Sequence, residues 1–177
     1  MPRNTLPLIE AVRESRLLRI NREASRNQLR FENAPPTLVR GYYWIYTDYS
    51  LDELAACTPS PDEGAVNLAL LAGLHRELGN VCTLAPEGFQ LVYSGRAGRS
   101  VGGIRGRLGQ HFNGGNGTGA LHICRSSLSD LTRWRYSYAT IDDKGIINAD
   151  VPSSYDDSAH VERIWRLHHG WPLFCTQ

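Results

Sequence analysis

Lysine is nearly missing from this sequence: of 19 basic residues, 18 are arginine and Lys144 is the exception. Arginine favours bidentate contact with phosphate or carboxylate, but a GC-rich coding sequence explains the bias more simply. Net charge is close to nil, +1, and so excludes no class of partner by itself. No apolar run approaches the roughly 20 residues that a membrane span needs. Near the start, Arg13, Glu14 and Arg16 stand where a signal peptide would be apolar. The expectation is a cytoplasmic protein with no membrane partner. Cysteine is sparse too, with Cys57, Cys82, Cys124 and Cys175 forming no CxxC pair. Free thiols in a reducing compartment are expected. A zinc site from His122, Cys124, His168, His169 and Cys175 lacks the usual paired spacing and is set aside.

What is present is an uneven distribution of charge along one domain of 177 residues. Residues 1–40 carry +4, residues 41–92 carry −6, residues 93–135 carry +6 and residues 136–177 carry −3. Alternation on this scale points to a basic face on a near-neutral body.

Residues 1–40 read as a helical arm, with no glycine between Pro7 and Phe31. Arg19, Arg22, Arg26 and Arg30 form one stripe of it, a candidate for contact with phosphate or simply a solvated face. Asn33-Ala34-Pro35-Pro36 would close the helix. Residues 41–47, GYYWIYT, read as a strand, and an inserted helix is expected near 62–78, within an insertion at about 48–88. A second strand covers 89–94, and alternation in RWRYSYATI predicts a third over 133–141. The last helix is expected to begin near Ser158, its N-cap, and to run to about His169, ended by Gly170 and Pro172.

The densest chemistry lies in residues 91–112, LVYSGRAGRSVGGIRGRLGQHF. A short strand ends at Tyr93-Ser94-Gly95, and a glycine-rich turn carrying Arg96 and Arg99 follows. Ile104, Leu108 and Phe112 then mark one face of a helix, which also carries Arg105. Arg107 and His111 are four residues apart and so neighbours on that helix. Strand, cationic turn and helix together make an anion site, and Arg96, Arg99 and Arg105 are candidates for phosphate contact.

Gly41-Tyr42-Tyr43 in one strand and Tyr93-Ser94-Gly95 in the next, followed by Arg107-Leu108-Gly109-Gln110-His111, resemble the GIY-YIG nuclease family. Trp134 in the third strand, Glu162 in the last helix and Pro172-Leu173-Phe174-Cys175 continue the likeness in family order, over roughly 41–47 and 91–177. The sequence departs from the pattern at Tyr42 and Ser94, at Arg96 in place of a lysine, at Cys175 in place of a terminal asparagine, and in the long insertion. The resemblance implies a small α/β domain: a three-stranded mixed sheet flanked by helices, with the N-terminal helical arm and the inserted helix added.

It also implies a metal-dependent DNA endonuclease, closest to the stand-alone restriction-type members. A structure-specific repair nuclease and a non-catalytic nucleic-acid-binding protein are the alternatives. Tyr43 would be the general base, Arg107 would stabilise charge on the phosphate, and Tyr93 would orient phosphate or water. Glu162 would hold Mg²⁺ or Mn²⁺. A tyrosine ionises near ~10, so it needs help; His111 can accept a proton where Arg96 cannot, and is the candidate to activate Tyr43. Each residue also has a plain structural role open to it, such as an Arg107–Glu162 bridge. Asp130, Asp142, Asp143, Asp156 and Asp157 compete with Glu162 as metal ligand.

Overall fold

Alternation of apolar side chains, with a few closely approached glycines, builds the sheet that carries this chemistry. A computed structural model describes residues 5–23, 28–115, 119–141 and 155–176. Helix α1 (Thr5–Glu14) leads into an antiparallel hairpin of β1 (Leu18–Glu23) and β2 (Gln28–Phe31). Next come β3 (Gly41–Thr47), helices α2 (Leu51–Ala55) and α3 (Leu68–His75), and β4 (Gln90–Ala97). Helix α4 (Gly103–Asn113), β5 (Trp134–Thr140) and α5 (Tyr155–His169) complete the order.

The sheet has five strands in the order β2-β1-β5-β3-β4, and every pairing is antiparallel. This corrects the expected three-stranded mixed sheet in both strand number and direction. The two additional strands come from the segment read as a helical arm. In that segment Leu18 and Ile20 are buried while Arg19, Asn21, Arg22 and Glu23 are exposed. Across the hairpin, Ile20 pairs with Phe31, whose ring meets Tyr136 and Phe112 edge-on at 5.4 and 6.0 Å. Burying these side chains against an existing strand outweighs the helical propensity of the intervening residues. Arg26 lies outside the described residues.

The inserted helix is shorter than 62–78, and α2 precedes it. Ser50 caps α2 with a reciprocal capping box, Ser50 Oγ accepting from Glu53 N–H while Glu53 accepts from Ser50 N–H. The last helix starts at Tyr155, so Ser158 lies within it rather than capping it.

β3 is buried along its whole length because both faces of the sheet are covered. On one face, Tyr43, Ile45, Tyr136 and Tyr138 pack with Ile104, Leu108 and Phe112 of α4 and with Leu68 and Ala72 of α3. On the other, Tyr42, Trp44, Tyr46 and Leu91 pack with Ile9 of α1 and with Val161 and Trp165 of α5. Among the described residues no helix is long and apolar enough to cross a membrane, and all four cysteines are free.

β4 is an edge strand, and the C-terminal segment covers it. The pairing with β3 shifts between Ile45 and Tyr46, leaving Val92 as an extra residue in β4. Phe174 N–H donates to the Val92 carbonyl at 2.8 Å. Ser94 N–H donates to Cys175 Sγ, and the Cys175 thiol donates back to the Ser94 carbonyl, both at 3.4 Å. A bulge of this kind bends the strand and re-aims its neighbours; here the neighbour is Tyr93.

Candidate active site

A cleft of about 430 Å³ lies at this β4 edge. Tyr43, Tyr93, Arg96, Arg107 and Glu162 all line it, together with Arg163, Arg166 and Cys175. Helices α4 and α5 pack on opposite faces of the sheet, yet Arg107 and Glu162 meet the same cavity by reaching around the edge strand. Gly95 makes the passage. A Cβ there would lie 2.4 Å from Tyr43 Oη and 2.6 Å from Tyr43 Cζ, so only glycine leaves room for the phenol to lie across the strand.

α4 is placed by a comparable close approach. Gly103 has φ +72°, and a Cβ on it would stand 2.5 Å from the Val39 carbonyl oxygen. Starting there, the helix points Ile104, Leu108 and Phe112 into the core and leaves Arg107 at the cleft. Arg107 Nη1 donates to Gln110 Oε1 at 2.8 Å, and Nη2 to the Gly119 carbonyl at 3.3 Å. Burial lowers the pKa of its guanidinium, but the neighbouring Tyr43 and Tyr93 raise it by more, for a net upward shift. The insertion helps to hold this wall, because Gly119 N–H donates to the Gly64 carbonyl and Val66 N–H to the Ala120 carbonyl.

His111 is fully buried behind Tyr43, with Nε2 2.9 Å from Tyr43 Oη. Its Nδ1 accepts from Leu121 N–H at 3.2 Å. A neutral imidazole whose Nδ1 is an acceptor carries its proton on Nε2, so His111 donates to Tyr43. The sequence suggested the opposite direction, with His111 accepting the phenolic proton. In this geometry His111 orients the phenol and would stabilise a phenolate. Burial pushes the Tyr43 hydroxyl well above 10, assisted by Tyr93 and opposed by Arg107. Burial likewise pushes Tyr93 up to about 12.

Burial, followed by the charge of Arg107 and by His122, holds His111 well below its ordinary 6.5. An unfolded chain binds a proton there near ~6.5 whereas the folded one does not. Folding stability is therefore lost as pH falls from about 6.5 toward the depressed folded value. Urea unfolding of the wild type should lose roughly 1 kcal/mol more than His111→Gln between about pH 7.5 and 5.5. Equal losses in the two proteins would place the acid sensitivity elsewhere.

Glu162 is mostly buried, with its side chain 14% exposed, and burial raises its pKa against the pull of Arg166, Arg96 and Arg163. Its ion-pair partners are Arg166 at 2.6 Å and Arg96 at 3.7 Å. Arg166 is anchored in turn by Ser94 Oγ at 3.0 Å and the Ser94 carbonyl at 2.9 Å. Among the described residues no three His, Cys, Asp or Glu side chains gather as a ready-made metal cluster. The donor set does suit one hard cation, since Mg²⁺ keeps several waters and takes one or two carboxylates. Asp142, Asp143 and the side chains of Asp156 and Asp157 lie outside the described residues. Asp130 caps the turn before β5, bonding Thr132.

The remaining cationic candidates do not line this cleft. Arg99 joins Arg40, Gly98 and Ser100 around a separate hollow, and Arg105 is exposed on α4. Arg19 and Arg30 share the outer face of the hairpin, while the charge of Arg22 partly offsets the burial that raises the Cys124 thiol. Arg163 and Arg166 were not singled out in the sequence, although they follow Glu162 on one helix and Arg166 is four residues on, one helical turn away. Cys175, where the sequence departs from the resembled pattern, bonds the backbone of Ser94. Compared with known proteins, the chain matches no family model, no curated protein and no solved structure.

Proposed function

We propose that this chain is a metal-dependent DNA endonuclease of GIY-YIG type, with a restriction-type role. The observation that carries the reading is one cleft walled by Tyr43, which His111 backs from the interior, by Arg107, and by Glu162 from the far side of the edge strand. Among the described residues, four arginines and one carboxylate line it, a charge balance suited to a phosphodiester backbone. Tyr43, as the tyrosinate whose charge His111 Nε2–H and Arg107 would meet, would take a proton from the attacking water and become the neutral phenol. Arg107 would also hold a non-bridging phosphate oxygen as negative charge builds there. Tyr93, beside Tyr43, would orient the water. Glu162 would hold Mg²⁺, which when bound supplies positive charge to the phosphate and the departing 3′ oxygen.

The second reading, a nucleic-acid-binding protein without catalysis, is favoured by one observation: Glu162 is already neutralised by two arginines. A cleavage assay on a randomised pool of duplex, branched and single-stranded DNA separates the two readings. Nicking or cutting with Mg²⁺ or Mn²⁺, abolished by chelation, is the expected outcome. Binding without cleavage of any substrate favours the second.

The pH profile tests the base. Both phenols are pushed above 10, so the tyrosinate fraction grows tenfold per pH unit below that value. At saturating DNA, cleavage should therefore climb about tenfold per unit between roughly pH 6.5 and 9. A plateau already reached at neutral pH would assign the proton transfer to another group.

A further inference from the structure

The peptide that fixes the His111 tautomer is itself gripped from the insertion. Leu121 N–H donates to His111 Nδ1, and the carbonyl of that same planar unit, Ala120 C=O, accepts from Val66 N–H at 2.9 Å. Val66 ends a turn over 62–66 in which Ala65 N–H donates to the Asp62 carbonyl at 3.1 Å. One side-chain bond closes the grip. A carboxylate only accepts, so His122 Nδ1–H donates to Asp62 Oδ2, at 2.8 Å. Arg125 Nε pairs with the same oxygen at 3.1 Å. The pair is seated against the end of α4, where a Cβ on Gly114 would stand 3.1 Å from His122 Nδ1 and 3.2 Å from Asp62 Oδ2.

His122 is a costly choice for a residue that merely fills space. It is 1% exposed, its backbone is left-handed with φ +49°, and its Nε2 has no hydrogen-bond partner among the described residues. An apolar side chain would avoid the unmet nitrogen, and glycine would avoid the strain. What the imidazole adds is the bond to Asp62, made by the residue that directly follows Leu121. Neither Asp62 nor His122 lines the cleft.

We infer that Asp62 and His122 are positioning residues, which pin the Ala120–Leu121 peptide so that His111 keeps its proton on Nε2, facing Tyr43. Once the peptide is loosened, His111 is free to protonate Nδ1 instead, and its Nε2 then accepts from the Tyr43 hydroxyl. A tyrosinate would meet a lone pair where it now meets an N–H. The consequence for cleavage rests on the nuclease reading, whereas the tautomer does not.

Long-range proton–nitrogen correlation spectra of the full chain report which ring nitrogen of His111 is protonated. Wild type should show the Nε2–H form alone. Asp62→Ser and His122→Ala cut the link from either end, and each should show a mixture of the two tautomers. His122→Asn should stay with the wild type, because its Nδ2 stands where the ring Nδ1 does and asparagine tolerates a left-handed backbone. At saturating DNA the two disrupted variants should cleave about tenfold more slowly with KM unchanged, a smaller loss than an ångström of misplacement brings. A pure Nε2–H form in a folded disrupted variant overturns the inference. So does a mixture in the wild type, or one in His122→Asn as large as in His122→Ala. If neither disrupted variant folds while His122→Asn does, the pair serves stability and the inference also falls. A tautomer shift that leaves the cleavage rate unchanged removes the pair from the reaction. Absence of cleavage by the wild type counts against the nuclease reading alone, and the spectra still decide the positioning role.

Discussion

Glu162→Gln is expected to lower the rate of DNA cleavage at saturating substrate by roughly a thousandfold, equivalent to about 4 kcal/mol of barrier. The substitution keeps the shape of the side chain and an oxygen for Arg166 Nη2, but removes the charge that would hold the cation. DNA affinity should stay level or rise, since the one negative charge lining the cleft among the described residues is deleted. Stability should fall by about 1–3 kcal/mol, because Arg166, 8% exposed, loses its counter-charge inside the protein. Single-turnover cleavage, fluorescence anisotropy and urea unfolding read these three quantities separately. Cleavage within tenfold of wild type would exclude Glu162 as the metal ligand. Loss of DNA binding and of folding together would make it a structural partner of Arg166.

Gly95→Ala should act through space rather than charge. The added methyl would stand 2.4 Å from Tyr43 Oη and 2.6 Å from Cζ, and the ring is only 1% exposed, so yielding would disturb its packing. Overpacking of this kind typically costs about 1–3 kcal/mol. Displacing the phenol also breaks its 2.9 Å bond to His111 and leaves a buried donor unsatisfied. Cleavage should drop by about a hundredfold or more, the order expected for an ångström of misplacement. The cause can be isolated by a cycle with Tyr43→Ala, which removes the clash: in that background Gly95→Ala should cost much less. Strict additivity of the two substitutions would mean that the methyl harms something other than Tyr43.

How much of this site was legible in the sequence depended on how local its determinants were. GYYWIYT and RWRYSYATI are dense in aromatic and β-branched residues, and β3 and β5 form where those patterns lie. Ile104, Leu108 and Phe112 placed α4 for the same reason, with four-residue spacing in place of alternation. The hairpin was hidden because Ala24-Ser25-Arg26-Asn27 offers no glycine or proline to mark a turn. Arg19, Asn21, Arg22 and Glu23 suit an exposed helix face as well as an exposed strand face. The capping box at Ser50 and Glu53 is a local signal for α2 that the sequence does carry. The Tyr43–His111 proton direction could not be read at all. It depends on Leu121 N–H, supplied by an irregular segment whose position follows from the packed structure.

The C-terminal cover on the edge strand has a consequence for how the site comes into being. Tyr43, Tyr93, Arg107, Glu162 and Cys175 are far apart along the chain, and the last of them seals β4 through Ser94. Closing such long loops is slow relative to forming local helices and hairpins. Under the proposed function, a chain that had formed local helices and hairpin before this closure would display basic surface without possessing the cleft. The ability to bind a polyanion would thus precede the ability to cut one. Local release of residues 173–175 in the mature protein would take the chain back across that boundary, separating affinity from catalysis without global unfolding.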